Sequence, residues 1–341
     1  MMRVLQAMAG AEHGGAEAFF ERLAPALGRA GLEQRVLMRE NDERAGVLRA
    51  GGIEPVQLAF GGMLDLSTKP AFKREIASFK PDIVMTWMSR ATKFCPRGDF
   101  VHVARLGGYY DLKYYDNCNH IVGNTPDIVA YAVRGGWPQE RAHYLPNFVD
   151  CEPMPAIPRA TLGVPEGAKL LLALGRLHPN KAFDVLIDAM PSVPDAWLLL
   201  AGEGPEEAAL KERAAKLGVA ERVKFLGWRR DVGALYSTAD MLVCSSRYEP
   251  LGNIVIEGWA HQRPVVAARS MGPSHLIHHD DLGVLVPVDD AAGLADGIKR
   301  VFEDPVLRAR IVEAGRKHYE AEFTEQAIVA RYLAFFKDIT G

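Results

Sequence analysis

The sequence predicts an α/β protein made of two doubly wound parallel sheets, and three observations lead to that fold class. The chain has 341 residues, a length that suits two domains of ordinary size. Short apolar runs alternate with longer amphipathic stretches from end to end, which is the pattern of repeated βαβ units. A segment with four prolines at 146–158 separates two such series. We therefore expect a first domain over 1–150 and a second over 151–321.

The first series begins at the start of the chain. Its predicted strands are Arg3–Met8, Gln34–Met38, Ile83–Trp87, Val101–Ala104, Ile121–Gly123 and His143–Leu145. Apolar residues at helical spacing fall between these strands, for example at Ala16–Arg29 and Ala71–Phe79.

The second series follows the proline-rich segment, which cannot be a helix and is unsuited to a central strand. Its predicted strands are Lys169–Leu174, Trp197–Ala201, Val223–Phe225, Met241–Cys244, Val265–Ala267 and Val284–Val286. Three helices are predicted after them, at Ala291–Glu303, Pro305–Glu320 and Thr324–Asp338.

Composition narrows the class of protein. Hydrophobic residues make up 48% and charged residues 24% of the chain, which excludes disordered, collagen-like and coiled-coil architectures. The formal net charge of -3 gives the molecule no general affinity for nucleic acid. No apolar run is long enough to span a bilayer or to form a signal segment. The cysteines have neither metal-ligand nor disulfide-framework spacing, so we expect a cytoplasmic protein without a metal site; they are Cys95, Cys118, Cys151 and Cys244.

The segment 245–260 is the most informative part of the sequence. It follows a strand, turns at Pro250 and enters a helix near Gly252, so that Glu249 lies in the turn and Glu257 about two turns inside the helix. The free N–H groups at this helix start suit a phosphate or diphosphate; they belong to Gly252, Asn253 and Ile254. Two carboxylates beside a diphosphate are placed to bind sugar hydroxyls. The alternative is a helix-start acid and a solvated helix acid.

A second strand, turn and helix place two cations at the end of the strand 169–174. Arg176 and Lys181 can neutralise a departing nucleoside diphosphate without a metal, although ordinary surface cations would have the same pattern. Asp-x-Asp, a usual carboxylate ligand pair for a catalytic metal, occurs nowhere in the chain.

Several motifs occur in a fixed order along nearly the whole chain. They are Gly14-Gly15-Ala16-Glu17, Leu145-Pro146-Asn147-Phe148-Val149-Asp150, Gly175-Arg176-Leu177 with Lys181, Ala201-Gly202-Glu203-Gly204-Pro205, Val223–Gly227, the Glu249 and Glu257 pair, and Arg263–Ala267. Together they resemble the retaining glycosyltransferases of family four, of the bacterial lipopolysaccharide or cell-surface glycan type. The resemblance implies the GT-B fold, two Rossmann-like domains facing across a cleft, with the C-terminal helix over 322–341 packed back on the first domain.

The resemblance also implies roles for individual residues. Glu249 would bind donor-sugar hydroxyls and stabilise charge at the anomeric carbon, Glu257 would bind the ribose, and Arg176 with Lys181 would hold the diphosphate. Gly14 and Gly15 would admit the phosphates close to the backbone; the alternative is a plain strand-to-helix turn. The remaining donor-binding set is Gly202, Glu203, Gly204, Trp228, Arg229, Tyr248, Leu251, Gly252, Asn253 and Ile254.

Two departures from the family pattern concern histidines. Where many relatives have a donor-contacting histidine, this chain has the stretch 105–108, so we place an acceptor or cleft surface at Arg105, Gly107, Gly108 and Tyr109. His275 stands where glutamate is commoner. It and His178 are interpreted as supporting or surface groups rather than acid–base catalysts.

The resulting hypothesis is a metal-independent, retaining transferase that moves a sugar from a nucleoside-diphosphate donor, with a UDP-sugar favoured, to a glycan or glycolipid such as lipopolysaccharide core. Nine Lys or Arg against four acids over 69–113 suit an anionic glycolipid or the anionic inner-membrane surface, or else form a dispersed solvated face. Nearby aromatic rings could stack on sugars or belong to the core; they are Tyr109, Tyr110, Tyr114 and Tyr115. A nucleotide-sugar epimerase and a non-catalytic sugar-nucleotide-binding protein remain as alternatives.

Overall fold

In the computed structural model of the protein, which describes residues 2–12, 14–62, 64–149, 151–152 and 154–341, the chain forms two compact units. Unit 1 spans Met1–Phe148 together with Glu325–Gly341, and unit 2 spans Val149–Thr324. Asp150 and Pro153, which belong to the predicted linker, lie outside the described residues.

Unit 1 is built on a parallel sheet of seven strands within the described residues. Its strands are β1 (Arg3–Met8), β2 (Glu33–Arg39), β3 (Val56–Leu58), β4 (Ile83–Trp87), β5 (Val101–Leu106), β6 (His120–Gly123) and β7 (Ala142–Tyr144). Its helices are α1 (Gly15–Arg29), α2 (Asp42–Ala50), α3 (Thr68–Phe79), α4 (Met88–Phe94), α5 (Pro126–Arg134) and α13 (Glu325–Thr340). The strand order β3-β2-β1-β4-β5-β6-β7 is doubly wound, with a reversal between β1 and β4.

Unit 2 repeats this plan with six strands in the order β10-β9-β8-β11-β12-β13. The strands are β8 (Lys169–Leu174), β9 (Ala196–Ala201), β10 (Val223–Phe225), β11 (Met241–Cys244), β12 (Val265–Ala268) and β13 (Val284–Val286). The helices are α6 (Phe183–Ala189), α7 (Glu207–Lys216), α8 (Val232–Thr238), α9 (Asn253–Ala260), α10 (Met271–Leu276), α11 (Ala291–Glu303) and α12 (Pro305–Glu322). The strand order reverses between β8 and β11, and ligands of such sheets bind at the carboxyl ends of the strands at this point.

The central strands of both sheets are buried on both faces, which explains why they read as continuous apolar runs in the sequence. Helices cover each face. In unit 1 the last helix of the chain, α13, packs on α1 through Ile328, Tyr332 and Phe336, which join Phe19 and Phe20 in one core cluster. Every strand predicted from the sequence is present in the structure, with ends that differ by one or two residues. The edge strand β3, of three residues, was not predicted from the sequence.

Candidate active site of unit 2

Glu249 and Lys181 meet at the strand-order reversal of unit 2. Lys181 lies in the loop after β8 and Glu249 in the loop after β11, and the Lys181 Nζ forms an ion pair with the Glu249 Oε2. The Lys181 side chain is 26% exposed and the Glu249 side chain is 12% exposed, so the pair is accessible from one side. Residues 68 positions apart are therefore joined, as expected for loops of neighbouring parallel strands.

Backbone and hydroxyl hydrogen bonds hold the two loops together. The Ser245 Oγ donates to the Lys181 carbonyl at 2.8 Å, and the Tyr248 N–H donates to the Asn180 carbonyl at 3.1 Å. The ring of Tyr248 is 44% exposed beside them. Burial and the nearby Glu249 raise the pKa of the Cys244 thiol, at the end of β11, to about 11, so this cysteine stays protonated.

Arg247 is a positioning residue that the sequence analysis did not identify. Its guanidinium donates to both carboxylate oxygens of Asp184, at 2.9 and 2.7 Å, to the Pro179 carbonyl at 2.9 Å and to Asp289. The Asp184 hydrogen bond raises the pKa of Arg247, so the group remains charged. Arg247 lies within the segment 245–260, which the sequence analysis had singled out. Its partners, however, are 63 and 42 residues away in the sequence, so its contacts could not be predicted.

The start of α9 differs from the sequence prediction in one respect. The N–H of Gly252, expected to be free, lies 3.4 Å from the Glu249 Oε1, so it helps to orient that carboxylate. The N–H groups of Asn253 and Ile254 have no partner within the described part of the chain. Gly252 has a φ of 72°, and a Cβ there would lie 2.8 Å from the Leu276 Cδ1, so the turn requires glycine. Leu251 is half-buried in the same turn.

Glu257 is the fifth residue of α9, a little over one turn inside the helix rather than the two turns expected. The buried Tyr236 donates its hydroxyl to the Glu257 Oε2 at 3.0 Å and stacks on His261, with ring centroids 4.6 Å apart. Burial and the Glu257 charge raise the pKa of Tyr236. The tyrosine is a second residue that the sequence analysis missed, because only the fold brings α8 beside α9.

The glycines after β8 and β9 allow two loops to pack against each other. A Cβ on Gly202 would lie 1.9 Å from the Gly175 carbonyl oxygen, and a Cβ on Gly204 would lie 2.2 Å from the Leu177 carbonyl oxygen. The Leu177 N–H donates to the Glu203 carbonyl at 2.9 Å. These glycines thus set the path of the loop that carries the exposed Arg176.

Trp228 and Arg229 follow the next strand outward, β10. The Trp228 N–H donates to the Glu203 Oε1 at 3.2 Å, while its side chain is 71% exposed and free to stack on a ligand. The Arg229 Nε donates to the Asp231 Oδ1 at 2.8 Å. Of the predicted cations, Arg176 therefore remains exposed, while Lys181 and Arg229 are ion-paired.

In unit 1 the glycine loop after β1 is occupied by a carboxylate. Glu17 is 5% exposed and accepts the Ala11 N–H at 2.7 Å. A Cβ on Gly14 would lie 2.3 Å from the Glu17 Oε2, whereas a Cβ on Gly15 would meet nothing within 4 Å. A Cβ on Gly14 would thus displace the Glu17 carboxylate from its present position, whereas Gly15 faces open space.

The prediction that Arg105 lies on an acceptor or cleft surface is wrong, because Arg105 is buried. Arg105 is 1% exposed, donates to the Tyr332 hydroxyl at 3.0 Å and to the Asn147 side chain, and lies over the ring of Trp87 at 4.4 Å. The end of β5 is covered by α13, which the sequence could not reveal. Among its neighbours, Tyr109 packs edge-on against Tyr131, with centroids 5.3 Å apart.

Gly107 and Gly108 remain half-exposed beside this covered strand end. A Cβ on Gly107 would lie 3.4 Å from the Ala16 Cβ, which places this backbone next to the start of α1. The tyrosines 110 and 114 are partly buried against a core cluster that contains the fully buried Tyr115, so Tyr115 cannot stack on a sugar.

The histidines singled out in the sequence lie near the site without an acid–base arrangement. His178 accepts the Asn180 N–H at 3.3 Å. His275 is half-buried in α10, and burial together with His278 lowers its pKa. In the described ranges, no three His, Cys, Asp or Glu side chains are arranged to hold a metal ion. No helix among the same residues is long and apolar enough to cross a bilayer.

Comparisons with known proteins match both units. The family model described as "Glycosyltransferase Family 4" matches residues 13–153, and the one described as "Glycosyl transferases group 1" matches residues 157–318. The lipopolysaccharide core biosynthesis glycosyltransferase LpsD of Rhizobium meliloti is 34% identical, covering 98% of both chains. The related LpsE of that organism is 36% identical over 94% of this chain and 95% of its own.

The chain belongs to glycosyltransferase family 4. A solved structure, that of HepE of Anabaena in complex with UDP, superposes with a TM-score of 0.86 at 20% identity, covering 99% of this chain and 100% of its own. This likeness agrees with the two parallel-sheet units in identifying the GT-B fold. As a glycosyltransferase, the chain needs a group that stabilises positive charge on a sugar and groups that stabilise an anionic leaving group. The carboxylate of Glu249 suits the first requirement. The cations Lys181 and Arg176, together with the start of α9, suit the second.

Proposed function

We propose that this glycosyltransferase moves a sugar, with retention and without a metal ion, from a nucleoside-diphosphate donor to a glycan or glycolipid such as lipopolysaccharide core. A UDP-sugar is the favoured donor. The names of LpsD and LpsE support the acceptor class, and the UDP complex of HepE supports the donor class. The observation that carries the proposal is the Lys181 and Glu249 ion pair at the strand-order reversal.

The Lys181 and Glu249 pair places a positive and a negative group where the reaction develops charge of both signs. Glycosyl transfer passes through an oxocarbenium-like state while the bond to the diphosphate breaks. The Glu249 carboxylate stabilises the sugar cation, and the Lys181 ammonium, with Arg176, stabilises the departing diphosphate. These groups are fixed before the reaction by Ser245 and by the Gly252 N–H, so that little reorganisation is needed when charge develops.

Metal independence is proposed from the same set of residues, and retention is proposed from the family resemblance alone. Two cations and the N–H groups at the start of α9 perform the charge neutralisation that a divalent metal performs elsewhere. The family resemblance implies a front-face route, in which the acceptor hydroxyl bonds to the anomeric carbon and gives its proton to the leaving phosphate oxygen. Full transfer activity in the presence of EDTA is the expected result, and loss of activity that added Mg²⁺ restores would contradict metal independence.

A donor panel tests the binding half of the proposal. A ligand at 100 times its dissociation constant stabilises the folded protein by about 2.7 kcal/mol, which a thermal melt detects readily. We expect UDP and one UDP-sugar to raise the melting temperature more than the GDP, ADP and CMP series. A larger shift with another nucleotide would reassign the base.

Variants of Glu249 and Lys181 test the proposed catalytic roles of these two residues. Glu249→Gln and Lys181→Ala should each lower the transfer rate at least about a hundredfold, equivalent to ~3 kcal/mol of transition-state stabilisation, with an unchanged melting temperature. The matched control is Arg213→Ala, because Arg213 forms an ion pair with Asp188 elsewhere in unit 2. Turnover of donor without acceptor would favour an epimerase. Donor binding without any turnover would favour a non-catalytic binding protein.

We further propose that unit 1 contacts an anionic inner-membrane surface. The start of α3 carries exposed cations at Lys69, Lys73 and Arg74, and it follows Leu64 and Leu66, which are 94% and 85% exposed. Apolar side chains beside cations suit the interface of an anionic bilayer. Leu64→Ser/Leu66→Ser should lower sedimentation with phosphatidylglycerol vesicles severalfold, while Val306→Ser, which removes an exposed apolar side chain from unit 2, should not. Equal sedimentation of both variants would contradict the proposal.

A further inference from the structure

A cavity lies at the amino-terminal end of the unit 2 strands, opposite the carboxyl end at which Glu249 lies. Its lining includes Lys169, the first residue of β8, and Asp240 and Pro264, which directly precede β11 and β12. Glu249 and Lys181 follow the carboxyl ends of the strands, so the two sites are separated by the length of the sheet. The cavity has a volume of about 1050 Å³. That size accommodates a small organic molecule.

One face of α12 forms a wall of this cavity. The lining positions recur at intervals of three and four residues, as one side of a helix requires; they are Pro305, Arg308, Ala309, Val312, Glu313, Arg316, Lys317 and Glu320. Six Lys or Arg side chains and three carboxylates line the whole cavity, an excess of three positive charges. The protein as a whole carries a formal net charge of -3, so this local excess has the opposite sign.

Part of the lining charge is neutralised within the protein. The Arg159 Nη2 donates to the Asp240 Oδ1 at 2.8 Å, and the Arg316 Nε donates to the Glu320 Oε1 at 2.6 Å. Both guanidinium groups also donate to backbone carbonyls, that of Arg316 to Ala260 at 2.7 Å. These two arginines are therefore structural, and they use two of the three carboxylates.

Of the remaining cations, Lys169 forms an ion pair with Asp195 at 3.9 Å, whereas Arg263, Arg308 and Lys317 lack such partners within the described residues. The Arg263 Nε is buried, with no hydrogen-bond partner in the part of the chain that the structure describes. No ion pair involves Arg308 or Lys317 among those residues either. A buried guanidinium N–H without an acceptor is costly, because its hydration is lost and nothing replaces it. Because Arg263 lines the cavity, an anion bound there would accept hydrogen bonds from the other nitrogens of its guanidinium.

We propose that this cavity binds the phosphate group of an organic phosphate, held by Arg263, Arg308 and Lys317. Guanidinium groups match the geometry of phosphate oxygens, and a lysine adds a mobile charge. The apolar side chains of Phe302, Pro305 and Val312 border the same cavity and provide a surface for the organic part. This site is separate from the proposed donor site and is independent of the proposed reaction.

Binding of inorganic phosphate to a variant with a weakened donor site tests the proposal. The background is Arg176→Ala/Lys181→Ala, which removes the cations expected to bind diphosphate in the donor site. In isothermal titration, phosphate should bind this background with a stoichiometry of one. Adding Arg263→Ala or Arg308→Gln should weaken that binding at least about tenfold, which corresponds to ~1.4 kcal/mol.

The matched control is Arg310→Ala, because Arg310 lies on α12 outside the cavity and forms an ion pair with Asp281. Arg310→Ala should change the dissociation constant less than twofold. Arg308 is half-buried on a helix surface, so its variant should fold even if Arg263→Ala does not. Phosphate binding that is insensitive to Arg308→Gln would overturn the proposal.

A vesicle arm distinguishes a soluble phosphate from a lipid headgroup. Vesicles of phosphatidylcholine with and without phosphatidic acid are sedimented with the same background and with its Arg308→Gln derivative. Saturable binding of free phosphate identifies a soluble ligand. Sedimentation with phosphatidic acid that depends on Arg308, without binding of free phosphate, identifies a lipid. Absence of both would overturn the site.

Discussion

The loop after β1 in unit 1 and the loop after β8 in unit 2 occupy the same place, between the first strand of a sheet and the helix that follows, but they carry opposite charge. The loop after β1 encloses the Glu17 carboxylate, which accepts the Ala11 N–H. The loop after β8 carries Arg176 and Lys181, and a Cβ on its one glycine, Gly175, would lie 3.1 Å from the Lys181 Cε. A carboxylate beside the start of α1 lowers the affinity of that loop for anions, whereas two cations raise it. The difference teaches that a glycine-rich loop is not by itself a phosphate site, and it favours unit 2 for the proposed diphosphate site.

The largest expected effect is on the loop after β9, whose Gly202 packs against Gly175 at the start of the loop after β8. Gly202→Ala places a Cβ 1.9 Å from the Gly175 carbonyl oxygen at a residue with a φ of 142°. We expect a loss of about 3–5 kcal/mol in the free energy of unfolding, because backbone must move. Gly15→Ala in unit 1 is the control: its Cβ would meet nothing, and urea titration should find it unchanged or slightly more stable. Comparable losses in both variants would remove the distinction between the loops.

Acid should lower the free energy of unfolding of unit 1 through protonation of His102. This histidine is 4% exposed, whereas His275 and His318 in unit 2 are half-buried. Burial lowers the pKa of His102 from 6.5 to about 4. The unfolded chain therefore takes up this proton near pH 6.5 and the folded chain only near pH 4, so stability present above pH 6.5 is lost as the pH falls. The loss should reach about 3 kcal/mol by pH 4.

The pH effect is measured as the difference in unfolding free energy between pH 7.5 and pH 4.5. His102→Gln should flatten that difference, whereas His279→Gln, at a mostly exposed histidine, should leave it as in the parent protein. An equally steep loss in His102→Gln would assign the acid sensitivity to other groups.

A smaller effect is expected when the carboxylate is removed from the first loop. Glu17→Ala leaves the Ala11 N–H without its acceptor and should lower the free energy of unfolding by about 2 kcal/mol, while Glu12→Ala at an exposed acid should not. Gly14→Ala should destabilise the parent protein, because its Cβ would lie 2.3 Å from the Glu17 Oε2. In the Glu17→Ala background this substitution should become nearly neutral. Strict additivity of the two substitutions would contradict the assignment of Gly14 to the glutamate.

The smallest effect is expected at Glu257, the second carboxylate of the candidate site in unit 2. Tyr236→Phe removes the hydroxyl that orients Glu257 and should raise the KM for donor about fivefold, or ~1 kcal/mol, with kcat within twofold. Tyr319→Phe is the matched control, since that buried tyrosine bonds to Cys151 instead. A fall in kcat with unchanged KM would assign Glu257 to the chemical step rather than to donor binding.

The sequence was sufficient for the repeated strands and for locating the two loops that form the candidate site of unit 2. Strands such as Lys169–Leu174 are buried on both faces, so their apolar runs are visible without any tertiary information. Ser245–Ala260 and the Gly175 to Lys181 stretch are local patterns of strand, turn and helix start. Their meeting at one point of a parallel sheet follows from βαβ topology.

The sequence was insufficient wherever partners come from distant elements. Arg105 was expected on a cleft surface because it stands where many relatives have a donor-contacting histidine, yet α13, more than 200 residues later, covers it with Tyr332. Arg247 and Tyr236 were overlooked because Asp184, Asp289 and Glu257 approach them only after folding. The basic face of α12 is visible as a helical spacing of charges, but the missing partner of Arg263 is a property of the folded cavity.

By itself, therefore, the sequence determined two doubly wound sheets, the family, and the identity of Glu249, Lys181 and Arg176 as candidate catalytic groups. These depend on local periodicity and on short motifs, which neighbouring residues specify. Only the tertiary structure decided which carboxylate pairs with which cation, that Glu17 fills the first glycine loop, and that Arg105 is in the core. Such decisions depend on packing and hydrogen bonding between residues far apart in the chain, which no local pattern records.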